Sequence, residues 1–301
     1  ASPQKRPPRS SHGDFVVYGQ SPSRKNSRRG RGGRFSSGEY KKDSRKKKPS
    51  SVSPKIRGNA RGVQTKDKAW ETSNGLDNAS QILLIKIHNN GTIDDIGGQI
   101  SQGKDACVFH AKTPEGEYCA VKVFKTTKIE FKNRAQYLEN DHRYKHVHNF
   151  GKQHPRKIVK LWAEKEFRNL SRLSKAKVRC PRPILVREHI VVMTLIGNNG
   201  SPAPRLRDVN LDTDKHAALY AQCVGLMHKM YHQSRLVHCD LSAYNILYNA
   251  GELYIIDVSQ AVEIRHPRAL DFLKRDCNTI TIFFKKHGIL TMPVRKLFSF
   301  V

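Results

Sequence analysis

Large aliphatic side chains are sparse in residues 1–78 and recur regularly only from Gln81-Ile82-Leu83-Leu84 onward. Beyond Ile96-Gly97-Gly98, three short β-rich runs follow: Gln99–Ser101, Ala106–Ala111 and Tyr118–Phe124. They are divided by Gly103-Lys104-Asp105 and Pro114-Glu115-Gly116, which are turn signals. Residues 125–157 are basic and polar with few aliphatics, and are expected to form a mobile excursion. Ile158, Leu161, Trp162, Phe167, Leu170 and Leu173 then recur at helical spacing, which predicts a helix over 158–175. Arg182–Ile196 reads as two strands turning at Arg187-Glu188-His189. A long helix is expected from about Asp214 to His232, with Leu219, Cys223, Leu226, Met227 and Met230 on one face. Ile246–Tyr248 and Leu253–Asp257 alternate as a hairpin, and helices fill the remainder. Strands first and helices after predict an α+β, two-lobed molecule.

Composition changes the picture mainly at the N-terminus. The chain of 301 residues carries a net charge of +29, and residues 1–70 hold 20 Lys/Arg against 4 Asp/Glu. So polar a segment cannot bury enough apolar surface to offset its ordering entropy, and 1–78 is expected to be a disordered basic tail. Within it, Arg28-Arg29-Gly30-Arg31-Gly32-Gly33-Arg34 resembles an RNA-contacting Arg/Gly segment, set against the plainer reading of a solvated tail. The charge favours a polyanionic partner, nucleic acid ahead of an anionic membrane surface. No stretch is apolar enough for a transmembrane helix or a signal-peptide core, so no membrane partner is expected. Six cysteines without CxxC pairs (Cys107, Cys119, Cys180, Cys223, Cys239 and Cys277) read as reduced thiols. His142, His146, His148 and His154 lie in a polar stretch without nearby cysteines and read as solvated rather than as a metal site.

Phosphoryl transfer asks a protein to hold phosphates, neutralise their charge and orient a nucleophile. Lys122, in the alternating run Ala120-Val121-Lys122-Val123, would project an ammonium into a cleft. Glu166 in the following helix would pair with it. Glu164 is the rival, but an offset of two residues points it to another helix face. His238-Cys239-Asp240-Leu241-Ser242-Ala243-Tyr244-Asn245 fits H-x-D-L-x-x-x-N, in which the Asp orients or accepts the hydroxyl proton and the Asn holds Mg²⁺. Asp257, expected at the end of a strand, is the second candidate metal ligand, and such hard oxygen donors suit Mg²⁺ or Mn²⁺. The usual G-x-G-x-x-G is absent. The turn from Ser101 to Ala106 offers Ser101, Lys104 and backbone N–H groups to a phosphate instead. Asp257 opens no DFG and no APE follows it, so an activation segment and peptide-docking helices are not expected.

Ser101–Ala106, Trp162-Ala163-Glu164-Lys165-Glu166, Pro202-Ala203-Pro204, the Leu236–Asn245 run and Ile255-Ile256-Asp257-Val258-Ser259-Gln260 resemble the RIO family of atypical serine/threonine kinases. The resemblance spans about 82–301 and favours the type-one branch, with type three also open. It implies a protein-kinase-like domain over 79–301, with a small β-rich N-lobe (about 82–196) and a mainly helical C-lobe (about 197–301) lacking an activation segment and peptide-docking helices. It also implies that ATP is the nucleotide, with Thr194 and Ile196 binding adenine through their backbone. By the same resemblance, Asp257 can carry a transient phosphoryl group, so the output is ATP hydrolysis, serine/threonine phosphorylation or both. The implied setting is cytoplasmic maturation of the small ribosomal subunit, with pre-ribosomal particles and their rRNA as partners and passage through the nucleus allowed. The alternative is a nucleotide-gated assembly factor that binds pre-ribosomal RNA and whose catalysis is incidental. Two departures stand out: Gln102-Gly103-Lys104-Asp105 where the family usually has Thr-Gly-Lys-Glu, and Ala243 where it has Glu.

Overall fold

The first described helix, α1 (Asn78–Asn89), begins where the Asp77 carboxylate accepts the Ser80 N–H at 2.8 Å, satisfying one of the free donors of a helix start. The computed structural model describes residues 76–126, 135–138 and 154–301. These lie in the unit Val63–Val301, and the unit Ala1–Gly62, with most of the basic tail, lies outside the described residues. So does most of the 125–157 excursion, including His142, His146 and His148. His154 is described as the N-cap of the next long helix, where it accepts the Arg156 N–H at 3.3 Å.

After α1 come β1 (Asp95–Gln102), β2 (Ala106–Lys112), β3 (Tyr118–Phe124), a 3₁₀ turn at Ala135–Tyr137, α2 (Pro155–Lys175), β4 (Pro183–Arg187) and β5 (Ile190–Thr194). The strands form one sheet in the order β1-β2-β3-β5-β4, every neighbouring pair antiparallel. β3 is covered on both sides. Its period-two alternation sends Cys119, Val121 and Val123 to the outer face, where they pack with Leu84 and Ile87 of α1. Ala120, Lys122 and Phe124 turn inward, toward Ile158, Trp162 and Leu170 of α2. A lysine therefore stands on the inner face of a fully enclosed strand.

The second lobe opens with a tight hairpin of β6 (Gly197–Asn198) and β7 (Ser201–Pro202) and a 3₁₀ turn at Leu206–Asp208. Gly197 is required there, since a Cβ would lie 2.0 Å from the Ser201 carbonyl oxygen. α3 (Thr213–His232), β8 (Leu236–Val237), β9 (Ile246–Asn249), β10 (Glu252–Ile255), β11 (Val262–Glu263), α4 (Ala269–Lys286) and α5 (Val294–Phe300) complete it. α4 buries Phe272, Cys277, Ile280 and Phe284. Each large apolar side chain taken from water there contributes about 1.5–3 kcal/mol.

The structure departs from the sequence reading at several places. Order starts earlier, with α1 at Asn78, β1 at Asp95 and α2 at Pro155, and the short strand β11 stands where only helices were expected. More important for chemistry, β10 ends at Ile255, so Asp257 does not close a strand. The Ile256 N–H turns away to the Asn245 carbonyl at 3.0 Å, and Asp257 takes a left-handed conformation at φ 57°.

Candidate active site in the interlobe cleft

Lys122 extends from β3 between two carboxylates. Its Nζ is 2.9 Å from Glu166 Oε1 and 2.8 Å from Oε2, and 3.0 Å from Asp257 Oδ1. Lys122 and Glu166 are almost fully enclosed, while the Asp257 side chain remains 46% exposed to the cleft. Burial alone would push the ammonium to lose its proton. The Asp257 and Glu166 charges outweigh that and raise its pKa, so Lys122 stays a cation. Burial pushes Glu166 upward, with Lys122 pulling against it. At Asp257 the surrounding protein works against ionisation, but the Lys122 charge and hydrogen bond overcome it and hold the carboxyl below its ordinary range. Ser259 Oγ also donates to Asp257 Oδ1, at 3.1 Å. Glu164, one helix face away, sits 3.5 Å from Arg168 and takes no part.

The loop between β8 and β9 carries the other two polar groups. Asn245 Nδ2 donates to the Asp240 carbonyl at 2.8 Å and lies 3.4 Å from Asp240 Oδ2. Packing around Asp240 raises its pKa; His238 pulls it down and the Asp257 charge adds to the rise. A carboxylate so tuned is a better proton acceptor than a free one. The His238 ring is buried and its Nε2 meets the Ile256 carbonyl at 3.0 Å, which ties this loop to the Asp257 turn.

These groups open onto one cleft of about 980 Å³ between the lobes. Ser101, near the end of β1, and Lys104, in the β1–β2 turn, line its upper edge, and Thr194 and Ile196 line the connection between lobes. The Gly103 N–H bonds the Ala106 carbonyl at 2.9 Å and Lys125 Nζ bonds the Gly103 carbonyl at 2.7 Å, which shapes the turn. The Ile196 carbonyl accepts the Ala203 N–H at 2.8 Å, and Thr194 N–H donates to the Arg182 carbonyl at 2.9 Å. All nine sequence-predicted positions, Ser101, Lys104, Lys122, Glu166, Thr194, Ile196, Asp240, Asn245 and Asp257, share this cleft. The donor set of Asn245 and Asp257 is oxygen-rich and fits a hard divalent cation.

Several residues that organise the site went unread in the sequence. Asp276 of α4, buried, accepts the N–H groups of Cys239 (2.8 Å) and Leu241 (3.0 Å), one on each side of Asp240. Lys165 and Asn169 of α2 donate to the Ala261 and Val258 carbonyls, each at 2.8 Å, so the helix bearing Glu166 also grips the turn after Asp257. Only tertiary packing exposes these contacts.

The family model described as "RIO domain" matches residues 107–297, which contain the cleft groups from Lys122 to Asp257. The chain belongs to the RIO family. Among relatives within the RIO family, serine/threonine-protein kinase rio1 of Dictyostelium discoideum is 45% identical over 266 residues, covering 86% of this chain and 46% of its own length. RIO1 of Homo sapiens is 47% identical over 226 residues (75% of this chain, 39% of its length), and human RIO3 is 43% identical over 238 (75% and 46%). The chain thus spans under half the length of these relatives, and both RIO1 and RIO3 proteins are among them. The solved Rio2 kinase of Chaetomium thermophilum in its ADP/Mg²⁺-phosphoaspartate complex shares the fold, with TM-score 0.57 and 23% identity over 74% of this chain and 66% of that one. The two-lobed RIO fold, β-rich first and helical after, is therefore the fold of this chain.

Proposed function

We propose that this RIO-family chain is an ATP-dependent, Mg²⁺-requiring phosphotransferase that acts as an ATPase, a serine/threonine kinase or both. One observation carries the reading: a buried Lys122 braced by the Glu166 and Asp257 carboxylates at the floor of the cleft that Asp240 and Asn245 also face. The names of its relatives support it. Lys122 would hold phosphate oxygens, and Ser101, Lys104 and the neighbouring backbone would cover them. Thr194 and Ile196 would take the adenine edge. Asn245 and Asp257 would hold the metal, which when bound neutralises phosphate charge. Asp240 would accept the proton from an attacking hydroxyl or water as the new P–O bond forms and ADP leaves with the old bond's electrons. Where Asp257 is itself the acceptor, the acyl phosphate would be labile to hydroxylamine, whereas phosphoserine is stable.

The proposed setting is cytoplasmic assembly of the small ribosomal subunit, with rRNA as polyanionic partner, for which the support is the net charge of +29. The Asp257→Ala variant tests the core of the proposal in single turnover with labelled ATP and in equilibrium nucleotide binding. Loss of both turnover and Mg²⁺-dependent tight binding is expected; unchanged turnover would sink the assignment.

A further inference from the structure

The described residues 135–138, which lie between the strand of Lys122 and the helix of Glu166, are bound to α4. Tyr137 and Leu138 are buried at 6% and 2% exposure. The Tyr137 ring lies 5.2 Å from that of Phe272, and Gln136 Oε1 accepts from Arg268 Nη1 at 2.5 Å. Arg275 Nη2 reaches the Tyr137 hydroxyl at 3.4 Å and also donates to the Cys239 carbonyl, while its guanidinium packs over the Phe272 ring at 5.3 Å. The next residue, Asp276, takes the N–H groups of Cys239 and Leu241. Cys239 is therefore held at its carbonyl and at its N–H by consecutive residues of one helix. It is a non-glycine residue in the left-handed region, at φ 70°. That conformation is unfavourable for a side-chain-bearing residue and persists only where its surroundings enforce it. Asp240 follows directly.

We propose that Tyr137 and Arg275 are positioning residues for Asp240. Tyr137, wedged on Phe272, directs the Arg275 guanidinium, and Arg275 fixes the peptide that aims Asp240 into the cleft. Tyr137, from the short described segment 135–138, thereby braces the loop that carries Asp240 through Arg275. Neither residue lines the cleft, so nucleotide affinity is not their contribution. The effect on turnover rests on the phosphotransfer reading above, whereas the effect on the loop does not.

The test uses the full chain with Arg275→Met, Tyr137→Ala, Tyr137→Phe and the Arg275→Met/Tyr137→Ala double variant. Amide hydrogen exchange at Cys239 and Leu241 is read beside single-turnover ATP consumption and nucleotide affinity. Arg275→Met should speed exchange at both amides and slow turnover by about tenfold, the scale of removing one charge-assisted hydrogen bond. Nucleotide affinity should stay within about twofold. Because both residues act through one contact, the double variant should be no worse than Arg275→Met alone. Tyr137→Phe, which keeps the buried ring, carries the test if Tyr137→Ala fails to fold, with an expected effect of about threefold on exchange, as for one long hydrogen bond at the low end of the usual range. Wild-type exchange in Arg275→Met and Tyr137→Phe, or effects that multiply in the double variant, would overturn the proposal. A wild-type chain without turnover would defeat the phosphotransfer reading and leave exchange to decide this one.

Discussion

Replacing Asp276 by Asn separates the charge of this buried carboxylate from its shape. Burial raises its pKa from 3.8 to about 6, against the pull of His238 and of the Leu241 and Cys239 N–H groups. A carboxyl that binds its proton more tightly folded than unfolded makes the folded state more stable as pH falls through about 6. That gain is complete below the unfolded value. Holding the charge at neutral pH therefore costs the native state about 3 kcal/mol, at about 1.4 kcal/mol per pH unit between the two values. The asparagine lacks this term, but its single oxygen can serve only one of the two N–H donors. That cost of about 3 kcal/mol is already net of both N–H bonds, so the asparagine adds only the stranded donor, about 1–3 kcal/mol. At pH 7.5 the two effects nearly offset, and Asp276→Asn should change stability by no more than about 2 kcal/mol. Lowering the pH to 5 should widen the gap in favour of the wild type by about 1.4 kcal/mol. Urea denaturation of both proteins at the two pH values reads this directly, because other titrating groups cancel in the difference. Single-turnover ATP consumption should fall by about tenfold or more, as the Asp240 loop loses a brace worth at least about 1.4 kcal/mol, with nucleotide affinity little changed. A gap independent of pH, or one that narrows at pH 5, would refute the account of Asp276 as a buried charge holding the loop.

Removing one member of the enclosed ion pair should be costly: Lys122→Met leaves Glu166 uncompensated and should lower stability by about 3–5 kcal/mol, while abolishing nucleotide binding. Adding Glu166→Leu should recover most of that stability in thermal melts and none of the binding; equal stability of the single and double variants would contradict this. Deleting residues 1–75, which stops short of the Asp77 cap, should leave intrinsic ATP turnover within about twofold. The same deletion should flatten the salt dependence of RNA binding by about 0.7 for each phosphate that the tail had neutralised, measured by fluorescence anisotropy across a salt series. An unchanged slope would make the tail a bystander.

How much of the site could be read in advance follows from how local its signals are. Lys122 was legible because strand alternation alone decides which way it points, and Asp240 and Asn245 because one loop holds both at a fixed spacing. Asp257 was legible as a residue but not as a geometry. Strand propensity runs through Ile255-Ile256, and nothing local announces that the chain turns left-handed two positions later. Asp276, Arg275, Lys165 and Asn169 act across long sequence separations, on backbone groups that carry no residue-specific mark. α1 was missed as a helix because its buried positions are few, although Asp77 three residues before Ser80 is a capping signal.

The double enclosure of β3 has a consequence for how this chain can vary. Side-chain direction along a strand depends only on whether a position is odd or even. One residue inserted or deleted between Cys119 and Lys122 would exchange the two faces at a stroke, driving the lysine into the α1-side core and a valine or alanine into the cleft. Length changes should thus be lethal within the strand and permitted in the Pro114–Glu117 turn just before it, where Glu115 and Gly116 are exposed and no such parity is kept.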